Sequence, residues 1–128
     1  MKMKSFVKLI TLLAFIFFKA SPIYSIVYVR YDGVNYKITS SEYRTVEVSN
    51  MGNCNMTNIE LPTSIPIEEE ITKLNKTYKV THKYMVSSIG YDAFKGCTSL
   101  QSIIIPNSVS KIKSSAFEDW RGYVCHYW

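Results

Sequence analysis

The sequence is poor in the residue types that build catalytic and metal-binding sites. It contains only two histidines, His82 and His126, and neither stands in a recognisable framework with a serine or cysteine nucleophile. The five glycines are scattered, so there is no glycine-rich phosphate loop, and no HExxH or calcium-loop motif occurs. These absences predict no catalytic residues, no cofactor and no bound metal, and an enzyme is the least favoured class.

Cysteine is also scarce, with Cys54, Cys97 and Cys125 as the complete set. An odd number at wide spacing is a poor disulfide framework and allows at most one bridge within the chain. No two of them are close enough in sequence for a CxxC-type metal site. The pattern favours free or buried thiols, although an exported chain could form one disulfide.

The excess of basic residues is confined to the amino terminus. The whole chain has 15 basic and 10 acidic residues, a net charge of +5. Four lysines and no acidic residue lie in residues 1–25, which leaves 11 basic and 10 acidic residues and a net charge of +1 beyond them. A nucleic-acid surface needs clustered Lys and Arg on the folded part. The sequence therefore predicts no nucleic-acid partner.

Residues 1–25 have the pattern of a secretory signal peptide. A lysine-bearing start precedes an almost entirely apolar run over residues 9–18, Pro22 then breaks any helix, and the small Ser25 suits the position before cleavage. The alternative is an uncleaved membrane anchor, but a span requires about 20 apolar residues and this run is shorter. We expect cleavage after Ser25, no membrane span in the mature protein, and a secreted or cell-surface location.

Short strands and turns are predicted between the signal peptide and residue 90. Asp32-Gly33 between two β-rich runs is a strong signal for a type I′ hairpin. Residues 45–48 and the segment that ends at Pro62 predict two further strands. Residues 68–90 fit either two strands that turn near Asn75-Lys76 or a short helix that begins at three glutamates. Their β-branched and aromatic residues favour the two strands.

A 23-residue repeat is the most informative feature of the sequence. Residues 86–97 (VSSIGYDAFKGC) and 109–120 (VSKIKSSAFEDW) share five identities in twelve positions without a gap. A degenerate earlier copy, residues 58–65, aligns with residues 102–109 through NIELP and SIIIP. Internal repeats of this kind indicate stacked units in which each unit covers the apolar edge of its neighbour.

This repeat resembles the BspA-like class of leucine-rich repeats, whose pattern is roughly I-G-x-x-A-F-x-x-C-x-x-L-x-x-I-x-I-P-x-S-V-x-x-I. The resemblance is specific over residues 86–117. It implies a mainly β fold, a fragment of a leucine-rich-repeat solenoid with short parallel strands and a turn or short helix per repeat, after a hairpin-rich amino-terminal region. The matching positions are Ile89, Gly90, Ala93, Phe94, Cys97, Leu100, Ile103, Ile105, Pro106, Ser108, Val109 and Ile112.

The resemblance also implies a role at the cell surface, in protein binding or adhesion, without shared catalytic residues. We expect a β-rich region over residues 26–85, repeats over 86–120 and a tail over 121–128. One departure is that Asp119-Trp120 stands where the repeat would have Gly-Cys. The small number of recognisable units leaves an alternative, a truncated structural remnant of a longer repeat protein with no independent activity.

Residues that alternate with buried positions along a leucine-rich strand face outward. These side chains are the candidate contacts for a protein or another surface macromolecule: Asn58, Glu60, Ser102 and Ile104. An exposed isoleucine among polar neighbours either marks a contact point or is a tolerated apolar residue. The abundant tyrosines either reflect strand propensity or provide ring surfaces for sugars or partners; they include Tyr28, Tyr31, Tyr36 and Tyr43.

Overall fold

A computed structural model describes residues 27–52 and 54–126, and the expected signal peptide lies outside them. The described chain forms nine β-strands and no helix. The mainly β prediction is therefore confirmed, and of the turn or short helix expected in each repeat the structure shows the turn. The strands are β1 Tyr28–Tyr31, β2 Val34–Ser40, β3 Thr45–Val48, β4 Asn58–Glu60, β5 Ser64–Lys73, β6 Lys76–Ile89, β7 Ser102–Ile105, β8 Lys111–Ile112 and β9 Tyr123–His126.

The first sheet is mixed, with strands in the order β1-β2-β3-β6-β5 and with β8 beside β6. β1 and β2 form the predicted hairpin, and Asp32 and Gly33 have φ values of 47° and 79°. A type I′ turn requires positive φ at both central residues, so this prediction is confirmed. β3 is antiparallel to β2 but parallel to β6. Later segments of the chain therefore add as parallel neighbours, β6 beside β3 and β8 beside β6.

β5 and β6 form a long antiparallel hairpin of ten and fourteen residues. The turn between them holds Leu74 and Asn75 at φ values of 50° and 61°. Residues 68–70, the three glutamates, lie inside β5, so the alternative of a short helix there is wrong. Bulky side chains face each other across the pair, as Ile65 does Tyr84, and such cross-strand pairs stabilise an antiparallel ladder.

The second sheet contains only parallel strands, in the order β4-β7-β9. Ile59 lies opposite Ile103, as the alignment of the degenerate copy predicted, and Ile103 lies opposite Val124. The predicted segment 58–65 contains β4 and the first residues of β5. β9 lies in the range 121–128, where the sequence analysis placed a tail.

One hydrophobic core extends under both sheets. Strand side chains alternate between faces, and in β7 Ile103 and Ile105 are buried while Ser102 and Ile104 are half-buried. The alternation of apolar residues thus decides which face of each strand packs inward. The largest fully buried side chains come from both sheets and from the repeat turns: Tyr36, Tyr84, Phe94, Ile65, Ile67, Ile89, Ile103 and Ile105.

The two copies of the 23-residue repeat lie directly against each other. Phe94 and Phe117 occupy equivalent positions, and their rings stack with centroids 5.3 Å apart at an interplanar angle of 12°. The Phe94 N–H donates to the Ala116 carbonyl oxygen at 2.7 Å. On the surface, Lys95 Nζ lies 2.9 Å from Glu118 Oε2. The two copies therefore meet through ring stacking, a backbone hydrogen bond and an ion pair.

Left-handed residues explain why each copy turns instead of forming a helix. Asp92 and its equivalent Ser115 have φ values of 52° and 56°, and Gly96 and its equivalent Asp119 have φ values of 68° and 61°. Two such residues in each copy break the run of helical dihedral angles. Aspartate is among the few non-glycine residues that enter this region readily. Asp119 can therefore replace the glycine of the repeat pattern while the backbone keeps its course.

The buried Phe94 ring gives a direct test of the repeat register. Phe94 is 0% exposed, so Phe94→Ala should lower the free energy of unfolding by roughly 3–5 kcal/mol. Tyr43→Ala is the matched control, because Tyr43 is 76% exposed and its loss should change stability by less than about 0.5 kcal/mol. Urea unfolding followed by circular dichroism measures both. Equal effects of the two substitutions would contradict the register.

Candidate functional site

The four predicted partner-binding residues lie together on the outward face of the second sheet. Asn58 is opposite Ser102, and Glu60 is opposite Ile104. The isoleucines between them in β4 and β7 are buried, so strand alternation directs these four side chains away from the core. Residues distant in sequence thus form a grid of two rows across parallel strands.

β9 extends both rows with residues that the sequence analysis missed. Tyr123 is opposite Ser102, and Cys125 is opposite Ile104. The Tyr123 N–H donates to the Gln101 carbonyl oxygen at 2.9 Å, which fixes the start of this strand beside β7. In the sequence, residues 123–126 show only a short alternation and no leucine-rich pattern, so this strand was not predicted. We call these six residues the parallel-sheet face: Asn58, Glu60, Ser102, Ile104, Tyr123 and Cys125.

The two rows of the parallel-sheet face differ in chemistry. In the first row, the Ser102 hydroxyl donates to Asn58 Oδ1 at 2.6 Å, which orients both polar side chains, and Tyr123 stands highly exposed beside them. In the second row, the half-buried Ile104 lies between a carboxylate, Glu60, and a thiol, Cys125. The face therefore offers hydrogen-bonding groups and a phenol ring next to an apolar patch with one negative charge.

A cleft of about 440 Å³ adjoins the second row. Glu60 and Ile104 line it from the face, and Asp32 lines it from the turn between β1 and β2. Among the described residues that line this cleft there are two carboxylates and no basic side chain, so its local potential is negative. The remaining lining is small or apolar: Leu61, Pro62, Thr63, Pro106 and Asn107. We call it the acidic cleft.

Comparison with known proteins assigns the repeat. Residues 30–122 match the family model described as a BspA type leucine rich repeat region, in six copies. The chain belongs to the BspA-type leucine-rich repeat family. The family resemblance noted from the sequence is confirmed, and the match reaches back over most of the hairpin-rich region. No curated protein shows a significant match to the chain.

A solved structure with a similar fold is that of a leucine rich cell surface protein from Faecalibacterium prausnitzii. The two chains superpose with a TM-score of 0.51 at 22% sequence identity. The matched region covers 73% of this chain and 21% of the other. At this identity the likeness concerns the fold alone. This BspA-type chain therefore spans about a fifth of the length of its structural neighbour.

The glycine of the BspA-type pattern, Gly90, is explained by a close approach of two backbones. The Gly90 N–H donates to the Val48 carbonyl oxygen at 2.8 Å. A Cβ at this position would lie 2.7 Å from that oxygen and 2.8 Å from Glu47 Oε1. Any side chain would push the end of β6 away from β3, so the absence of a side chain keeps these strands adjacent.

Beside Gly90, the structure buries a carboxylate. Glu47 is 5% exposed, and its Oε2 accepts a hydrogen bond from Ser88 Oγ at 3.0 Å and lies 2.6 Å from Lys113 Nζ. A buried charge is tolerated when it is paired and hydrogen-bonded. We call these three residues the Glu47 cluster. β3, β6 and the segment after β8 contribute one residue each, so the cluster links three stacked segments.

In the first copy, the family cysteine is a buried thiol. Cys97 is almost fully buried, Cys54 is half-buried, and both are free, as is the exposed Cys125. Burial raises the pKa of Cys97 to about 12, and a side-chain hydrogen bond with Cys54 adds to this shift. A thiol that stays protonated at neutral pH is a poor nucleophile. Cys97 therefore acts as a packing residue.

In the second copy, Trp120 occupies the place of the family cysteine. Its indole N–H donates to the Leu100 carbonyl oxygen at 2.5 Å. Its ring lies 5.1 Å from the Phe117 ring, centroid to centroid. A Cβ at Gly122 would clash with the Trp120 ring, so this glycine gives the indole room. The departure from the pattern thus adds a contact between the second copy and the segment that links the two copies.

Residues 27–52 and 54–126 contain no group of three or more His, Cys, Asp or Glu side chains that could hold a metal ion. His82 Nδ1 lies 3.5 Å from Glu69 Oε2, and the Tyr84 hydroxyl donates to Glu69 Oε1 at 2.5 Å. Burial and then this hydrogen bond raise the pKa of Tyr84 well above its usual value. His82 Nδ1 has no hydrogen-bond partner in the described chain.

No helix with the length and hydrophobicity of a membrane span is present in the described part of the chain.

Burial should make the three thiols of this BspA-type protein react in a fixed order. At pH 8, iodoacetamide is expected to alkylate the exposed Cys125 first and to leave Cys97 unmodified until the protein unfolds, because alkylation requires an accessible thiolate. Mass spectrometry of tryptic peptides, with and without guanidinium, measures the order. Modification of Cys97 at the rate of Cys125 in the native protein would be inconsistent with the buried position.

Proposed function

We propose that this chain is an exported leucine-rich repeat protein that binds a protein partner through its parallel-sheet face. The observation that carries the proposal is the grid of outward side chains from β4, β7 and β9, which strand alternation separates from the core. Membership in the BspA-type family supports a binding role. The structural neighbour is a leucine rich cell surface protein, and this likeness supports a surface location.

We infer that the segments stack as successive units of a solenoid. The Met51 N–H donates to the Ala93 carbonyl oxygen at 3.0 Å, and the Phe94 N–H donates to the Ala116 carbonyl oxygen at 2.7 Å. Segments near residues 51, 93 and 116 are thus joined in series, each to the next. In a solenoid this arrangement presents a continuous surface for a partner.

The acidic cleft indicates the chemistry of the partner. Asp32 and Glu60 line it, and Ile104 forms part of the wall. A Lys or Arg side chain combines an apolar stem with a cationic end, so it fits a cleft with one apolar wall and two carboxylates. We propose that a basic residue of the partner enters this cleft while neighbouring residues pack on Ile104 and Tyr123.

A binding role accounts for more of the site than catalysis does. The polar groups of the parallel-sheet face lie on an open sheet, and no activated nucleophile is among them. Its thiol, Cys125, is exposed. A flat surface with an apolar patch and a polar margin is typical of protein interfaces. We therefore propose that the protein has no enzymatic activity of its own.

The parallel-sheet face can be tested with a peptide-display library selected on the immobilised protein. Enriched peptides should contain Lys or Arg, and Glu60→Lys should weaken their binding at least tenfold, because it replaces attraction with repulsion in the acidic cleft. Ile104→Asp should have a similar effect by removing apolar contact. Biolayer interferometry with synthetic copies of the selected peptides measures the affinities.

Glu42→Lys is the matched control, because it makes the same charge change at an exposed position of the turn between β2 and β3. It should leave binding within about twofold. Circular dichroism establishes that all three variants are folded. The proposal fails if peptides bind Glu60→Lys and Ile104→Asp as tightly as the unchanged protein, or if Glu42→Lys weakens binding equally.

Export can be tested separately from binding. When the full chain is produced in a secreting host, we expect the protein in the medium or on the cell surface to begin at Ile26, because Ser25 suits the residue before the cleavage site. Intact mass and amino-terminal sequencing measure this. An intracellular product that still begins at Met1 would argue against the exported location without affecting the binding proposal.

A further inference from the structure

A second concave site lies on the outward face of the first sheet, away from the parallel-sheet face. It is a pocket of about 710 Å³. We call it the tyrosine pocket, because Tyr28 and Tyr91 both line it and are 52% and 63% exposed. Neither ring is needed to fill the core. The other lining residues that matter here are polar: Arg30, Asn35, Lys37, Glu47 and Asn50.

The strand register sets the dimensions of the tyrosine pocket. Tyr28 of β1 is opposite Lys37 of β2, and Lys37 is opposite Glu47 of β3. The hydrogen bond from the Gly90 N–H to the Val48 carbonyl oxygen then places the next residue, Tyr91, close to the end of β3. Three strand spacings of roughly 4.8 Å separate β1 from β6 by about 14 Å across the sheet, and Tyr91 follows the end of β6. A pocket of this width accommodates a short chain of rings between the two phenols.

Contacts within the protein hold two parts of the pocket in place. They are the Tyr91 ring, which we call the far wall, and the side chains of Asn35 and Asn50, which we call the floor. Lys113 Nζ lies 5.0 Å from the centroid of the Tyr91 ring and also 2.6 Å from Glu47 Oε2. Asn35 Nδ2 donates to the Asn50 carbonyl oxygen at 3.1 Å, and Asn50 Nδ2 donates to the Asp92 carbonyl oxygen at 3.0 Å. The wall and the floor are thus positioned before any ligand binds, which lowers the entropic cost of binding.

The same contacts leave a hydrogen-bond acceptor available to a ligand. Asn35 donates through its amide nitrogen to the Asn50 carbonyl oxygen, and no donor in residues 27–52 and 54–126 is hydrogen-bonded to its amide oxygen. Glu47, by contrast, is buried and held by Ser88 and Lys113. A ligand hydroxyl group could therefore donate to the Asn35 amide oxygen.

The charges of the tyrosine pocket favour a negatively charged ligand. Arg30 and Lys37 line the pocket, while the one lining carboxylate, Glu47, is already paired with Lys113. Lys37 forms no ion pair with any residue of the described chain. Lys37 therefore supplies a positive charge inside the pocket, although the protein beyond residue 25 is almost neutral overall. A ligand carboxylate could pair with Lys37 at the middle of the pocket.

We propose that the tyrosine pocket binds an acidic oligosaccharide, a short chain of pyranose rings that carry carboxylate groups. Each phenol ring packs against the C–H face of a sugar at one end of the pocket. A hydroxyl group of the sugar donates to the amide oxygen of Asn35. A sugar carboxylate pairs with Lys37. This site is additional to the protein-binding face, since the two share no residue.

The probe is tetragalacturonate, and its uncharged counterpart is the methyl ester of the same tetramer. Isothermal titration calorimetry at low salt should show saturable binding of the acid, with the ester at least tenfold weaker. Tyr28→Ala and Tyr91→Ala should each weaken binding of the acid about tenfold through the loss of ring contact. Lys37→Gln should weaken binding of the acid about tenfold and change binding of the ester less than twofold.

Two controls separate this site from other surfaces of the protein. Tyr43→Ala removes an exposed tyrosine outside the pocket and should leave saccharide binding unchanged. Ile104→Asp alters the parallel-sheet face and should also leave it unchanged, so failure of the protein-binding proposal is distinguishable from failure of this one. Circular dichroism checks the fold of each variant, and Tyr28→Phe keeps the ring in case Tyr28→Ala does not fold.

Several results would overturn the proposal. They include the absence of saturable binding of tetragalacturonate and equal affinity for the acid and the ester. Displacement of the saccharide by an equal concentration of inorganic phosphate, or equal binding of a glutamate tetrapeptide, would mean that the pocket recognises negative charge alone. Loss of binding in Tyr43→Ala to the same extent as in Tyr91→Ala would also contradict it.

Discussion

The structure depends on one constraint: each repeat segment leaves an apolar edge exposed that only the next segment can cover. Phe94 is fully buried because Phe117 stacks on it at 5.3 Å. By contrast, Val124 faces the same way as the buried Ile103 and is 42% exposed, because no strand of the described chain lies beyond β9. Burial is therefore a property of neighbouring pairs, and stability is close to a sum over those pairs.

The same constraint divides the surface into parts that fold the protein and parts that remain available. In a parallel ladder every inward position is occupied by packing, so only alternate side chains can face a partner. This accounts for the parallel-sheet face, where Asn58 and Ser102 point outward while the isoleucines of the same strands point into the core. It also accounts for the tyrosine pocket, where Lys37 and Glu47 lie on the outward side of β2 and β3. Binding surfaces in this fold consist of the outward-facing residues that do not pack between stacked segments.

Local signals predicted what depends on neighbours in sequence, and non-local contacts explain what they missed. Asp32-Gly33 encodes its own turn geometry, and the repeat pattern alone placed Phe94 and Ile103 in the core. β9 was missed because its pairing partner, rather than its own composition, makes it a strand. The choice between a turn and a short helix in each repeat stayed open, because the residue types at Asp92 and Ser115 do not by themselves indicate a left-handed backbone. The burial of Glu47 could not be predicted either, since a polar residue in a short strand usually occupies a solvent-facing position.

Glu47 shows how stacking and the shape of a binding site are coupled. Its partners Ser88 and Lys113 come from two later segments, so the carboxylate is neutralised only after those segments have packed in the correct register. A shift of one residue would turn Glu47 toward the core and leave a buried charge unpaired, which is strongly unfavourable. The Glu47 cluster therefore selects against wrong registers. Because Lys113 also contacts the Tyr91 ring, the register that the cluster selects is the one that forms the far wall of the tyrosine pocket.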